Sequence, residues 1–141
     1  MKGYYLLQFD GGANPNPGPC AGAFVIYDGS TQEILLEGGK YIDHGTNNVG
    51  EYTGLLEGLK CCLEKGWKNL YVQGDSNLVV QQVNKKWKVN QSHLMKLNQE
   101  IQKLIVQFDF FQLEHVYRDK NQKADQLSDE TLEKKTTWIR F

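Results

Sequence analysis

Long apolar runs are missing from this chain. None approaches the ~20 residues of a membrane-spanning helix, and no signal peptide is expected at its start. An excess of one charge is missing too. With 16 Lys plus Arg against 17 Asp plus Glu, the formal net charge is −1. A nucleic-acid partner therefore cannot be argued from bulk charge, and any basic surface must be local. Cysteine is scarce: Cys20, Cys61 and Cys62 are odd in number and match no zinc or redox spacing. Reduced thiols in an intracellular protein are the expectation, with cytoplasm and nucleus left open. Proline is confined to residues 15–19, where all three fall. There is no repeat, no low-complexity segment and no linker.

What is present is an ordinary soluble composition, 40% apolar and 23% charged over 141 residues. That length predicts one domain spanning 1–141 with a sizeable core. Residues 4–9 form an apolar strand, which the Asp10-Gly-Gly that follows is expected to break. Residues 11–19 read as an irregular turn. Strands over 21–27 and 32–41 flank Asp28-Gly29, a hairpin signal.

The period then becomes helical. Val49, Tyr52, Leu56, Leu59 and Leu63 form one apolar face, with Gly54 and Gly58 on an adjacent stripe led by Glu51. A strand over 70–74 precedes a helix from Asn77 that Asp75-Ser76 can cap. Leu94, Leu97, Ile101, Leu104 and Ile105 mark another helix, with Ser92 as its cap. Residues 108–117 read as the last strand, and a final helix from Asn121 carries Ala124, Leu127 and Leu132. This order predicts an α/β domain with helices on both faces, its later strands parallel and its ligands bound at the strands' carboxyl ends.

Four acids fall at such ends or at helix starts: Asp10, Glu51, Asp75 and Asp125. Each has an innocent reading. Asp10 could begin a turn, Asp75 could cap a helix, Glu51 could close a capping box with Asn48, and Asp125 could favour a helix dipole. Their joint placement favours a site. Carboxylates crowded together repel each other unless cations neutralise them, and an all-oxygen set suits Mg²⁺ or Mn²⁺ rather than zinc. Two such ions ~4 Å apart form the arrangement that cleaves phosphodiesters.

The segments FDGGANPNPGPCAGAF, TNNVGEYTGLLEGL, YVQGDSNLVVQQVN and HVYRDKNQKADQLS, in this order, closely resemble type 1 ribonuclease H, in its compact archaeal-like branch. The resemblance implies a ribonuclease H-like fold: a five-stranded mixed sheet of order 3-2-1-4-5, strand 2 antiparallel, with helices on both faces. It implies endonucleolytic cleavage of the RNA strand of RNA–DNA hybrids, leaving 5′-phosphate and 3′-hydroxyl ends. It makes Asp10, Glu51, Asp75 and Asp125 the metal ligands for two Mg²⁺ ions, Mn²⁺ being a possible substitute, with Asp10 bridging. Expected substrate contacts are Gly11, Gly12, Asn14, Asn47, Asn48, Ser76, Asn77, Trp87, Lys88 and Asn121. The expected partner is the hybrid, with no membrane, and the chain is expected to be a monomer.

Three departures from the family pattern accompany the match. The run from Asn84 to His93 is too short for the basic protrusion of bacterial members, and no preceding hybrid-binding domain is expected. No histidine lies between Val116 and Asp125, where many members carry one on a loop. His115 falls on an apolar alternation and is read as packed in the sheet. His44 and His93 are read as loop or cap residues. The apolar tail at 136–141 is read as docking on the domain or binding a partner. Rival readings are another nuclease or integrase on the same fold, and a hybrid-binding protein without catalysis.

Overall fold

A computed structural model describes residues 3–141. Three strands come first, β1 (Tyr5–Ala13), β2 (Gly18–Asp28) and β3 (Ile34–Gly45), followed by helix α1 (Asn47–Lys65). Then come β4 (Asn69–Gly74), α2 (Asn77–Val83), α3 (Ser92–Ile105), β5 (Phe110–His115), a 3-10 turn (Arg118–Lys120), α4 (Gln122–Lys134) and β6 (Trp138–Arg140). The sheet is ordered β5-β4-β1-β2-β3-β6. β2 is antiparallel to β1 and β3, while β4 is parallel to β1 and β5.

The expected five strands keep their neighbours, but the sheet has six. Trp138–Arg140 pairs antiparallel with Gly39, Gly38 and Glu37 of β3, so the apolar tail docks as an edge strand and β5 is not the last one. Alternation along the strands divides the core. Leu7, Phe9, Phe24, Ile26 and Val72 face the large cluster built with α1, α2 and α3. Ala23 and Val25, on the opposite face, meet Ala124 and Leu127 of α4 in a much smaller cluster. A period of two in the strands thus buries both faces of β2 beneath helices.

The Asp10-Gly11-Gly12 segment does not break β1. It continues to Ala13, pairing Asp10 with Ala23, Gly11 with Gly22 and Gly12 with Ala21. The glycines serve packing instead. A Cβ on Gly11 would collide with the carbonyl of Gly50, and one on Gly22 would collide with the amide of Gly54 and the carbonyl of Gly50. The first turns of α1 therefore lie directly on the backbones of β1 and β2. The small-residue stripe that permits this is Gly50, Gly54 and Gly58, led by Gly50 rather than by Glu51.

Local chemistry sets the element ends. Thr46 caps α1, its hydroxyl accepting from Val49 N at 3.2 Å, and Gly66 closes it in the left-handed region at φ 76°. The Asn48–Glu51 capping box is therefore not formed. Gln91 precedes α3 without a side-chain cap, and Ser92 is its first helical residue. The β2–β3 connection is longer than a two-residue hairpin. Asp28 accepts from the amides of Ser30 and Thr31, and Gln32, expected to open a strand, takes φ 63° instead.

Candidate metal centre

Pairing of β1 with β4 ends at Phe9 opposite Gly74, so the next residue of each, Asp10 and Asp75, emerges side by side. Glu51 arrives from the first turns of α1, positioned by the close seating of Gly50 on Gly11 and Gly22. One carboxylate oxygen from each of Asp10, Glu51 and Asp75 lies within 4.8 Å of the others. Asp125, near the start of α4, lies on the helix covering the other face of the sheet and is close enough for its charge to act on Asp10. It joins the trio through Asp10. Asp10 is buried, whereas Glu51, Asp75 and Asp125 are partly buried and keep some contact with solvent.

The electrostatics follow from that crowding. Burial, then the charge of Asp75, raises the Asp10 carboxyl to about 8; the Gly11 amide opposes this and Asp125 adds to it. Burial raises Glu51 to about 7, against the hydroxyl of Ser76 and the Arg118 guanidinium, with Asp75 pushing it further up. Asp10 and Glu51 are thus held toward their protonated forms unless a cation supplies the missing counter-charge. The donors are all carboxylate oxygens, and the buried one is costly to ionise without a counter-charge. That chemistry fits hard divalent cations. Asp10, Glu51 and Asp75 are grouped closely enough to hold one.

The other expected site residues are placed unequally. Ser76 caps α2, accepting from Val79 N at 3.3 Å, and its hydroxyl favours the charged form of Glu51. Asn47 accepts from Ala13 N at 2.8 Å, tying the start of α1 to the end of β1. Asn48 lines a hollow of about 150 Å³ with Leu78, Gln82, Asn90, Gln91 and Leu94. Gly12 and the exposed Asn14 lie where β1 runs into the following turn. Asn77 is exposed and accepts from Gln81 Nε2. Trp87, 47% exposed, and Lys88 follow the end of α2.

Asn121 requires a correction. It is completely buried, so it cannot reach a substrate. Its amide donates to Phe9 O at 2.9 Å and to Asp75 Oδ2 at 3.4 Å, binding the start of α4 to the ends of β1 and β4. Gly11 is likewise accounted for by the helix it seats. His115 is half-buried at the end of β5, opposite Gly74 and edge-on to Tyr117 at 5.5 Å. Arg118 was given no role from sequence, yet its charge acts on both Glu51 and Asp129. The only signal for it was a cation seven residues before the last acid.

A family model described as reverse transcriptase-like matches residues 8–131, and so contains all four acids. The chain belongs to this family. Within the family it is similar to ribonuclease HI of Halobacterium salinarum, 35% identical over 125 residues, or 89% of this chain and 62% of that protein. The crystal structure of the RNase H1 from that halophilic archaeon superposes with a TM-score of 0.89 at 34% identity, covering 93% of this chain and 98% of that one. LC11-RNase H1, solved in complex with an RNA/DNA hybrid, gives a TM-score of 0.84 at 31% identity over 92% and 97% of the two chains.

The bifunctional protein Rv2228c of Mycobacterium tuberculosis is 36% identical over 128 residues, 91% of this chain but 35% of that protein. The chain thus spans about a third of the mycobacterial relatives it matches and under two thirds of the halobacterial one. These likenesses place the chain among the type 1 ribonuclease H members of that family.

Proposed function

We propose that this chain hydrolyses the RNA strand of RNA–DNA hybrids endonucleolytically, leaving 5′-phosphate and 3′-hydroxyl ends, and acts as a single domain and a monomer. The observation that carries the reading is the meeting of Asp10, Glu51 and Asp75 within 4.8 Å, on a fold shared with named ribonucleases H. Two divalent cations, Mg²⁺ or its substitute Mn²⁺, would when bound activate the attacking water and stabilise the departing 3′-oxygen. No protein nucleophile is needed.

The side chains of this protein hold and orient. Asp10 neighbours the other three acids, which makes it the shared ligand in this reading. Ser76 restrains the Glu51 carboxylate, and Asn121 restrains Asp75. Arg118 offers positive charge beside Glu51, where a phosphate would arrive. Asn47, Asn48 and Ser76, flanking Glu51 and Asp75, face the strand being cut. Gly12, Asn14 and Asn77 extend that surface through backbone and amide groups. The deoxyribose strand runs toward Trp87 and Lys88. The likeness to an RNase H1 solved with an RNA/DNA hybrid supports the hybrid as the substrate.

A 2′-hydroxyl both donates and accepts hydrogen bonds, and it is the group that separates RNA from DNA. Recognition through several of them makes cleavage depend on a run of ribonucleotides. In a series of hybrids carrying one, two, four and more consecutive ribonucleotides, assayed in Mg²⁺, cleavage is expected to rise steeply with the run. A lone ribonucleotide should be nearly inert, and double-stranded RNA should be cut slowly. Efficient cutting at a single ribonucleotide would overturn this reading of the substrate.

A further inference from the structure

Glu37 lies on β3 with only 7% of its surface exposed, on the side of the sheet that α4 covers. A buried carboxylate is costly unless paired. Its Oε1 accepts from Arg140 Nε of β6 at 3.1 Å, across the strand pair. Its Oε2 has no hydrogen bond of good geometry but faces the Lys123 ammonium at 3.3 Å. Lys123 stands in the first turn of α4, two residues before Asp125.

Two turns further along α4 there is a second grip. Buried Thr131 accepts from Trp138 Nε1 of β6 at 2.9 Å and donates to Leu127 O at 2.8 Å. A Cβ on Gly39 would collide with the Thr131 hydroxyl, so α4 presses closely on β3 at this point. β6 and Glu37 therefore hold α4 on either side of Asp125. The apolar contact beneath that helix is thin, made by Ala23, Val25, Ala124 and Leu127 with Tyr27 and Trp138 at its margin. Small side chains set a separation but fix rotation and sliding poorly, whereas directional polar contacts fix both.

We propose that Glu37, Lys123 and Arg140 form a positioning cluster that sets Asp125 against Asp10, making β6 a working part of the site. The cluster touches no reacting atom. It rests on the reading of Asp125 as a metal ligand. Asn121 pins the residue before α4 to β1 and β4, and the cluster fixes the orientation of the helix that follows.

The test compares Lys123→Ala, Lys123→Arg, Glu37→Gln and Arg140→Ala with wild type. Lys134→Ala, which breaks the exposed Glu130 pair on the same helix, is the control. All are measured at a temperature where each is folded by circular dichroism. One readout is kcat and KM on a hybrid; the other is Mg²⁺ affinity by calorimetry without substrate. Because small misplacements of reacting groups cost up to ~100-fold, partial loosening is expected to lower kcat about tenfold, with KM within about twofold.

Mg²⁺ binding should weaken several-fold in Lys123→Ala. Removing a cation near the acids would by charge alone strengthen it, so weakening is the mark of lost geometry. Lys123→Arg should recover most of both quantities, and Lys134→Ala should match wild type. Folded Lys123→Ala and Arg140→Ala with wild-type kcat and Mg²⁺ affinity would overturn the proposal. Should Glu37→Gln or Arg140→Ala fail to fold, Lys123→Ala decides alone. Failure of wild type to cut any hybrid would refute the proposed function, while the Mg²⁺ affinities would still decide the cluster.

Discussion

Asp10→Asn is expected to abolish Mg²⁺-dependent cleavage and, without metal at pH 8, to raise the melting temperature. The first effect follows from removing the carboxylate that neighbours the other three. Losing several kcal/mol of transition-state stabilisation corresponds to a fall of about 10³-fold or more. The second follows from linkage. The folded-state value of Asp10 is about 8, against 3.8 for the free side chain, and Glu51 stands at about 7 against 4.5.

Between those limits the folded chain holds protons that the unfolded chain has released. Metal-free stability is therefore greatest near pH 4 and is lost as pH rises through 8. Asn removes the larger of these liabilities, so its advantage over wild type should be absent at pH 4 and grow to roughly 5–10 °C at pH 8. Mg²⁺ should close the gap by stabilising wild type more than the variant. Thermal melts at both pH values, with Mg²⁺ and with chelator, check this. A variant less stable than wild type at pH 8 in chelator would mean the acids do not strain the fold.

Gly22→Ala is expected to cost about 3 kcal/mol by urea denaturation, at the upper end of what overpacking does. The new methyl would meet the backbone of α1 at Gly54 N and Gly50 O, and neither can rotate away. α1 must lift from the sheet. Glu51 rides on that helix, so cleavage should fall as well, even below the melting transition. Gly12→Ala is the internal comparison, because its methyl would meet only Asn47 Oδ1 at 3.6 Å. It should cost well under half as much. Equal stability losses in the two variants would remove close helix–sheet approach as the explanation.

The acids were legible because each stands at a transition between periodicities, where an α/β sheet gathers ligands. Their joint placement at strand ends and helix starts carried the inference. What supports them was less legible. Asp10-Gly-Gly looks locally like a strand end, and only the helix lying across it, some 40 residues away in sequence, explains why glycines continue the strand. β6 is three residues long, and its partner, β3, lies about 100 residues earlier, so neither length nor alternation marks it. Asn121 sits in a motif shared with nucleases and was read as touching substrate. Its complete burial makes it an anchor for Asp75 instead. In each case the deciding contact is long-range, and local pattern has no access to it.

The most direct test of the acid cluster as a metal-dependent nuclease centre is a cleavage assay on an RNA–DNA hybrid labelled in the RNA strand, run in Mg²⁺ and in chelator. Duplex DNA and duplex RNA of the same sequence run beside it. The prediction is RNA fragments ending in 3′-hydroxyls in Mg²⁺, an intact DNA strand, little cutting of either other duplex, and nothing in chelator. An uncut hybrid in both Mg²⁺ and Mn²⁺, or equal cutting with and without chelator, would contradict it.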